Sequence, residues 1–443
     1  MRGDHGGDTR AGTPTSVVVR GYTGPRGSPL ERWLADGPQL VGSFAGIVGP
    51  LPVLVALVDT TPEARAAAAD GLPDGSVTEE ALAVRLRRAG VPLGEGPGVL
   101  CPDVPTLLAL SRGRGRTSIA TLRADPQLLC ELQAGTWFDA GWRARLFRRV
   151  LVRAPLPDAL ARRVRRPLAL RSLADAAFWR GVRDAASACE WQRLTRSSYV
   201  VLIYHRLAGD AVPGQEDLYL APRRFATQMR VLRWLRFRPL DPEAQLRFHH
   251  DASATLPPRC YVVTVDDAYE DNLGPLMRHA AHRPQLFAPT TEVGRRARWT
   301  DGEPLLDWPA LVRMAEAGIA IGSHTRTHAS LPDVGPLSLD DELAGSMTDL
   351  QRNLPATAPV IAYPHGRHDA AVRMATIAAG YRLAYTTSVG RNGAGTDRWT
   401  LRRIGPKQRD SAASFAWKVL TGELLPGWWE RRRVSRAGPA TQR

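Results

Sequence analysis

Tyr261-Val262-Val263-Thr264-Val265 runs without interruption into Asp266-Asp267-Ala268-Tyr269. Its first five residues are apolar or β-branched, the make-up of a buried strand. Such a strand does not end in two adjacent carboxylates unless a cation, a basic partner or the rim of the sheet compensates them, because an unpaired buried carboxylate is very costly. In α/β folds the carboxyl ends of strands are where chemistry collects. Downstream, a second apolar run, Ile319-Ala320-Ile321-Gly322, ends in Ser323-His324-Thr325-Arg326-Thr327-His328. Two strand ends thus supply two carboxylates and two imidazoles, which outlines a metal site. On a helical turn His324 and His328 point the same way. One Asp and two His leave coordination positions open for water and substrate, as catalytic zinc sites do. The other Asp can then take a proton from water.

Outward from these two runs, strands alternate with helices. A strand over Ser198–Tyr204 leads into His205, and a helix follows over 222–235. Residues 246–258 read as a loop. Helices are expected near 272–281 and over 308–317, 340–353, 368–379 and 412–421, with strands over 285–289, 360–363 and 383–387. This alternation implies repeated βα units around a mostly parallel sheet or barrel. Trp299, Trp308 and Trp399 are either core residues or platforms on which a sugar could stack. Glu270 and Asp271 read as helix N-terminal carboxylates favoured by the dipole.

The same residues resemble the polysaccharide deacetylases (carbohydrate esterase family 4, the NodB-homology domain) over about residues 198–406. Val265-Asp266-Asp267-Ala268 stands where that family has Phe-Asp-Asp-Gly, and Ser323 to His328 matches its second motif. The resemblance implies Asp266 as catalytic base and Asp267, His324 and His328 as ligands of a divalent cation, zinc first. Asp307-Trp308-Pro309 looks like a further family feature. Ala362-Tyr363-Pro364-His365-Gly366 stands where one branch has Ala-Tyr-Pro-Tyr-Gly and most members have Arg-x-Pro-Tyr-Gly. It places Tyr363, Pro364 and Gly366 at the substrate. Leu401-Arg402-Arg403-Ile404 resembles the closing strand of that branch and adds Arg403 to the substrate contacts. The fold implied is a distorted (β/α) barrel. Two departures stand out: the third-motif Arg is Ala362, and no Leu-x-His follows to supply a general acid. His365, or else His368, is the candidate acid, and Arg402 or Arg403 the candidate replacement for the missing Arg.

The function implied is hydrolysis of an N-acetyl group on an amino sugar of a glycan or glycolipid. Two other readings stay open: a catalytically decayed glycan-binding protein, and a bifunctional glycan-assembly enzyme. The second rests on a faint resemblance of residues 16–59 to family-2 glycosyltransferases, and no Asp-x-Asp supports it in the first 200 residues. The organisation expected is a polar tail over 1–15, a separate α/β domain over 16–140 and a basic helical linker over 141–195. The deacetylase-like domain follows over 196–408, with a helix and basic tail over 409–443. A helix is expected over 78–89, and the uncharged stretch 37–58 reads as buried strands because prolines and glycines interrupt it. The net charge of +15 comes almost wholly from Arg spread along the chain, with no nucleic-acid-binding motif beside it. Nucleic acid is therefore not an expected partner. Arginines crowded between Trp142 and Arg171, and the pair Trp428-Trp429, suit peripheral contact with an anionic membrane. Four scattered cysteines and a polar N-terminus set a cytoplasmic location as the expectation.

Overall fold

The computed structural model describes residues 18–19, 42–45, 52–55, 57–58, 104–154, 163–164, 166–209, 216–300 and 302–424. Contacts divide the chain into two compact units: residues 1–134 with 146–187, and residues 135–145 with 188–443. The helix expected over 78–89, the tail over 1–15 and the Trp428-Trp429 pair lie outside the described residues, as does most of the stretch likened to a glycosyltransferase.

In the first unit four short strands form two antiparallel ribbons. β1 (Val18–Val19) pairs with β4 (Leu57–Val58), and β2 (Gly42–Ala45) with β3 (Pro52–Val55). Three helices follow: α1 (Val104–Ala124), α2 (Trp142–Arg153) and α3 (Pro167–Ala185). α1 holds Gly115 in its interior, although glycine weakens a helix interior by about 1 kcal/mol. The glycine has a packing reason. A Cβ on Gly115 would lie 2.0 Å from the Phe178 carbonyl oxygen, and one on Gly181 would lie 1.9 Å from that of Arg112. Thus α1 and α3 cross backbone to backbone. Asp184 ties the crossing, accepting from Arg112 at 2.6 Å and Arg116 at 3.2 Å. The end of the helical linker expected over 141–195 is two helices, α3 and α4 (Ala188–Thr195), separated where Ala186 turns to an extended ψ of 139°.

The second unit is built on strands β5 (Ser198–Tyr204), β6 (Arg238–Pro239), β7 (Cys260–Val265), β8 (Gln285–Ala288), β9 (Ala320–Ser323), β10 (Val360–Ala362), β11 (Leu383–Tyr385) and β12 (Asn392–Gly393). They form one sheet in the order β11-β10-β9-β8-β7-β5-β12, with β6 on the early part of β7. From β11 to β5 every pairing is parallel. The segment Leu401–Ile404 spans the two ends of this parallel run: Leu401 bridges Tyr385 of β11 and Ile404 bridges Leu202 of β5, both in parallel. The sheet therefore curls towards closure, the distorted (β/α) barrel expected from the alternation.

Around it lie α5 (Pro222–Trp234), α6 (Pro242–His250), α7 (Leu273–Arg278), α8 (Trp308–Glu316), α9 (Pro336–Asp340), α10 (Ser346–Asn353), α11 (Ala370–Ala378) and α12 (Ala412–Thr421). Several start on a side-chain cap: Asp241, Asp307, Asp369 and Ser411 accept from the amides of Ala244, Ala310, Val372 and Ser414. The first cap corrects the loop reading of 246–258, since α6 runs through His250. The helix expected over 340–353 is also interrupted, by a wide π-turn over Asp341–Gly345. A main core gathers Val200, Leu202, Val263, Val265, Leu286 and Ile321 with the inner faces of α5 and α8. β7 is buried along its whole length.

Candidate metal centre and catalytic base

Because β7 is sealed on both faces, its next two residues emerge at the sheet's carboxyl rim while still buried. Asp266 is 2 % exposed and Asp267 3 %. The backbone turns sharply there: Asp267 and Ala268 have φ of 72° and 55°. The left-handed region costs a non-glycine residue about 1–2 kcal/mol. Thr325 (φ 67°), His328 (φ 64°) and His365 (φ 57°) do the same, so five of the eight non-glycine residues with positive φ among those described crowd one rim. Strain gathered in this way marks a functional site.

Asp267, His324 and His328 meet. Their ligating atoms all lie within 4.8 Å of one another. The Nε2 atoms of His324 and His328 stand 3.3 and 3.2 Å from Asp267 Oδ1. Neither contact is aligned as a hydrogen bond, and Oδ1 is buried without a donor. A buried carboxylate oxygen with no donor, faced by two imidazole nitrogens, is the arrangement a shared cation satisfies. His324 Nδ1 lies 2.7 Å from the Ala362 carbonyl. A carbonyl only accepts, so Nδ1 carries a proton, and Nε2 is the nitrogen left to face Asp267. His328 Nδ1 has no partner among the described residues. Its ring is stacked on Trp299, with centroids 4.3 Å apart and an 18° interplanar angle. Trp299 thus forms a wall of the site, packed partly buried against the cluster of Tyr269, Ala297 and Leu305 and anchored by its Nε1–H to Tyr269 Oη at 3.1 Å. Trp399 is a core residue, and Trp308 packs partly buried against the main core.

Asp266 sits on the other side of the pair. Arg403, 1 % exposed, donates from Nη1 to Asp266 Oδ1 at 2.7 Å and from Nε to the Thr386 carbonyl at 2.8 Å. Burial alone would raise the pKa of Asp266, but the charges of Arg403, His324 and His205 outweigh it and hold the carboxyl below its usual range. Burial likewise opposes ionisation of Asp267, and His324 and His328 outweigh it more strongly. Both carboxylates stay ionised. Of the two neighbouring arginines only Arg403 turns inward, while Arg402 reaches Asp139 at 2.7 Å.

The rim from Tyr363 to His368 divides differently from the sequence expectation. The side chains of Tyr363 and Arg403, expected at the substrate, are both buried. Tyr363 is fully buried among Leu343, Ile361 and Val372 and stacks on His368, so its side chain belongs to packing. Arg403 is enclosed against Asp266. Pro364 is also buried. Gly366 (φ 71°) lies so close to Thr387 that a Cβ would stand 2.3 Å from its Oγ1. His365 is exposed, its ring centroid 5.0 Å from that of His328. His368 turns back, with Nδ1 3.3 Å from the Gly366 carbonyl.

Two supports, Asn272 and Glu342, went unnoticed in the sequence, and so did the ion pair of Asp271. Asn272 is buried and clamps the start of the next loop, donating to the His205 carbonyl and accepting from the Leu207 amide. Its position just after the acidic pair was the available signal. Asp271 lies in the first turn of the helical segment that leads into α7, as expected, and is also an ion-pair partner: it binds Arg206, which also donates to Glu303 at 2.9 Å. Glu342 accepts from the backbone of the histidine loop, and nothing in its local sequence marks it.

Residues 253–384 match the family model described as Polysaccharide deacetylase. Over 219 residues the chain is 24 % identical to YxkH of Bacillus subtilis (strain 168), whose name places it among the polysaccharide deacetylases; the match covers 48 % of this chain and 74 % of that one. Among solved structures, the deacetylase PplD of Streptococcus pyogenes, in complex with acetate, shares 21 % identity at a TM-score of 0.45, covering 51 % of this chain and 99 % of PplD. IcaB from Ammonifex degensii shares 22 % at a TM-score of 0.44, covering 50 % and 96 %.

Proposed function

Because residues 253–384 match the polysaccharide deacetylase family model, we propose that the chain is a cation-dependent hydrolase that removes the N-acetyl group from an amino sugar of a glycan or glycolipid. One observation carries the reading: Asp267 Oδ1, buried and without a donor, faces two imidazoles beside a second carboxylate that is held ionised. Asp267, His324 and His328 would hold the cation, and their N,N,O donor set suits zinc. Such an ion polarises an amide carbonyl and makes water acidic near neutral pH.

The chain's own residues then divide the proton work. Asp266 is the base that takes the proton from the attacking water, and Arg403 keeps its carboxylate charged and aimed. A backbone N–H of the turn over Tyr363–Gly366 is the donor offered to the carbonyl oxygen as it gains charge. His365, exposed on the rim beside His328, delivers a proton to the departing amine. The products are acetate and a free amino sugar.

The test is divalent-metal content together with acetate release from N-acetylated oligosaccharides, for wild type and Asp266→Asn. Both proteins should carry the cation, and only wild type should release acetate, with the variant down by about 10²–10⁴-fold. Cation in both and acetate from neither, across a broad substrate set, favours the decayed glycan-binding alternative.

A membrane contact is a separate part of the proposal. α2 leaves Leu146, Phe147 and Val150 exposed between Arg143 and Arg153, and it contains no acidic residue. Apolar side chains set among arginines suit an anionic lipid surface. Retention on anionic vesicles, weakened by salt, is expected. Equal retention on neutral vesicles, or none on either, removes the idea.

A further inference from the structure

We infer that Glu342 is a positioning residue that holds the histidine loop in the shape which brings His328 to the cation. The inference rests on the cation-site reading above. The loop over 323–328 carries two left-handed residues, Thr325 and His328, within four positions. Each costs about 1–2 kcal/mol, so the loop needs an external hold to keep this shape. Glu342 supplies it. Its Oε2 accepts from the amides of Arg326 at 2.8 Å and Thr327 at 2.9 Å, and its Oε1 accepts from the Thr327 hydroxyl.

The dependence runs in both directions. Glu342 is 6 % exposed, and no cationic side chain pairs with it among the described residues. The Arg326 guanidinium goes instead to Asp341 and Asp349. A buried carboxylate must find compensation, and here the donors are those of the loop. Ser346, four residues on, adds a hydrogen bond to the Thr325 carbonyl at 3.1 Å. The helix approaches so closely that a Cβ on Gly345 would lie 2.7 Å from Arg326 Cδ. Glu342 and Gly345 both belong to the π-turn, the kind of helix irregularity found most often at functional sites.

The two histidines differ in how they are fixed, which is why Glu342 bears on one of them. His324 has its Nδ1 anchored to the Ala362 carbonyl. His328 Nδ1 has no such anchor; the ring lies flat on Trp299 with the His365 ring at its edge. A stack lets a ring slide in its plane, so the backbone decides where Nε2 of His328 stands. Glu342 fixes that backbone through the two preceding residues.

The test is zinc affinity of metal-stripped wild type, Glu342→Ala, Glu342→Gln and His328→Ala, measured by competition with a chromogenic chelator. Amide exchange at Arg326 and Thr327 and the melting temperature are read on the same metal-free samples. Glu342→Ala should bind zinc about ten- to a hundredfold more weakly, with faster exchange at the two amides. Glu342→Gln, which keeps one acceptor oxygen, should fall between and remains informative if the Ala variant does not fold. In the His328→Ala background, removing Glu342 should change affinity by less than about threefold, because the ligand it positions is already gone. Wild-type affinity in Glu342→Ala or Glu342→Gln with a lowered melting temperature would make Glu342 a fold residue only and overturn the inference. A wild type that binds no zinc would instead overturn the cation site itself.

Discussion

The two ends of strands β5 and β7 treat buried titratable groups in opposite ways. At the amino ends, Tyr199 and Tyr261 each bond a histidine: His249 at 2.9 Å and His282 at 2.5 Å. Burial, then nearby positive charges, push His249 down to about 3 and His282 to about 4, so both rings are neutral at pH 7. At the carboxyl end of β7, burial pushes just as hard against charge, yet Asp266 and Asp267 stay ionised because Arg403 and the histidines face them. Five or six residues, roughly 20 Å of strand, separate the two regimes. Burial is common to both ends. Partner charge differs, and it makes one end a support and the other a place for chemistry.

Breaking the charged end should have the largest effect. Arg403→Met removes the guanidinium that Asp266 faces and leaves its carboxylate buried without that compensation. Stability should fall by about 3–5 kcal/mol, the usual result of removing one partner of a buried pair. Turnover on N-acetylated oligosaccharides should fall about a hundredfold, with KM less affected. Lysine should not rescue it, because the guanidinium reaches both the Thr386 carbonyl and Asp266, and an ammonium on a flexible stem lacks that fork. Combined with Asp266→Asn, the arginine change should cost little further turnover, since the group it serves is already altered. Urea unfolding and steady-state kinetics on wild type, the two Arg403 variants, Asp266→Asn and the double variant check this. Wild-type turnover in Arg403→Met would mean that Asp266 is positioned by something else.

Much of the charged end was legible because its signals are local. An apolar run ending in Asp266-Asp267, and another ending at His324 and His328, mark strand ends without any knowledge of what lies opposite. The barrel followed from the alternation of such runs with helices. What escaped was carried by contacts distant in sequence. Arg403 is 137 positions from Asp266, and adjacent Arg402 offers the same side chain, so only the closure at Leu401–Ile404 tells them apart. Glu342 sits in what reads as an ordinary amphipathic helix. The burial of Tyr363 was available in principle: Ile361 and Tyr363, two apart, share a face of an extended chain and a core cluster. The Asp241-Pro242 cap likewise announced a helix where a loop was read.

The neutral end gives a smaller effect, and one that appears only in acid. His282 is held near pKa 4 by burial first, then by the positive charge of His279 and Arg233. The Tyr261 hydroxyl also hydrogen-bonds its Nδ1. In the unfolded chain the pKa returns to about 6.5. Between these values the unfolded state binds a proton that the folded state refuses. The contribution of neutral His282 is therefore complete above pH 6.5 and is lost as the pH falls towards 4. The slope approaches about 1.4 kcal/mol per pH unit, and the total reaches up to about 3 kcal/mol. His282→Gln keeps an acceptor for Tyr261 but cannot be protonated, so it should lack this part of the acid sensitivity. Urea unfolding between pH 7.5 and 4.5 should show the stability gap between wild type and His282→Gln closing, or reversing in sign, as acid is added. A gap that stays constant across that range would mean that the neutral end does not exclude the proton, and the contrast between the two ends of the strands would fail there.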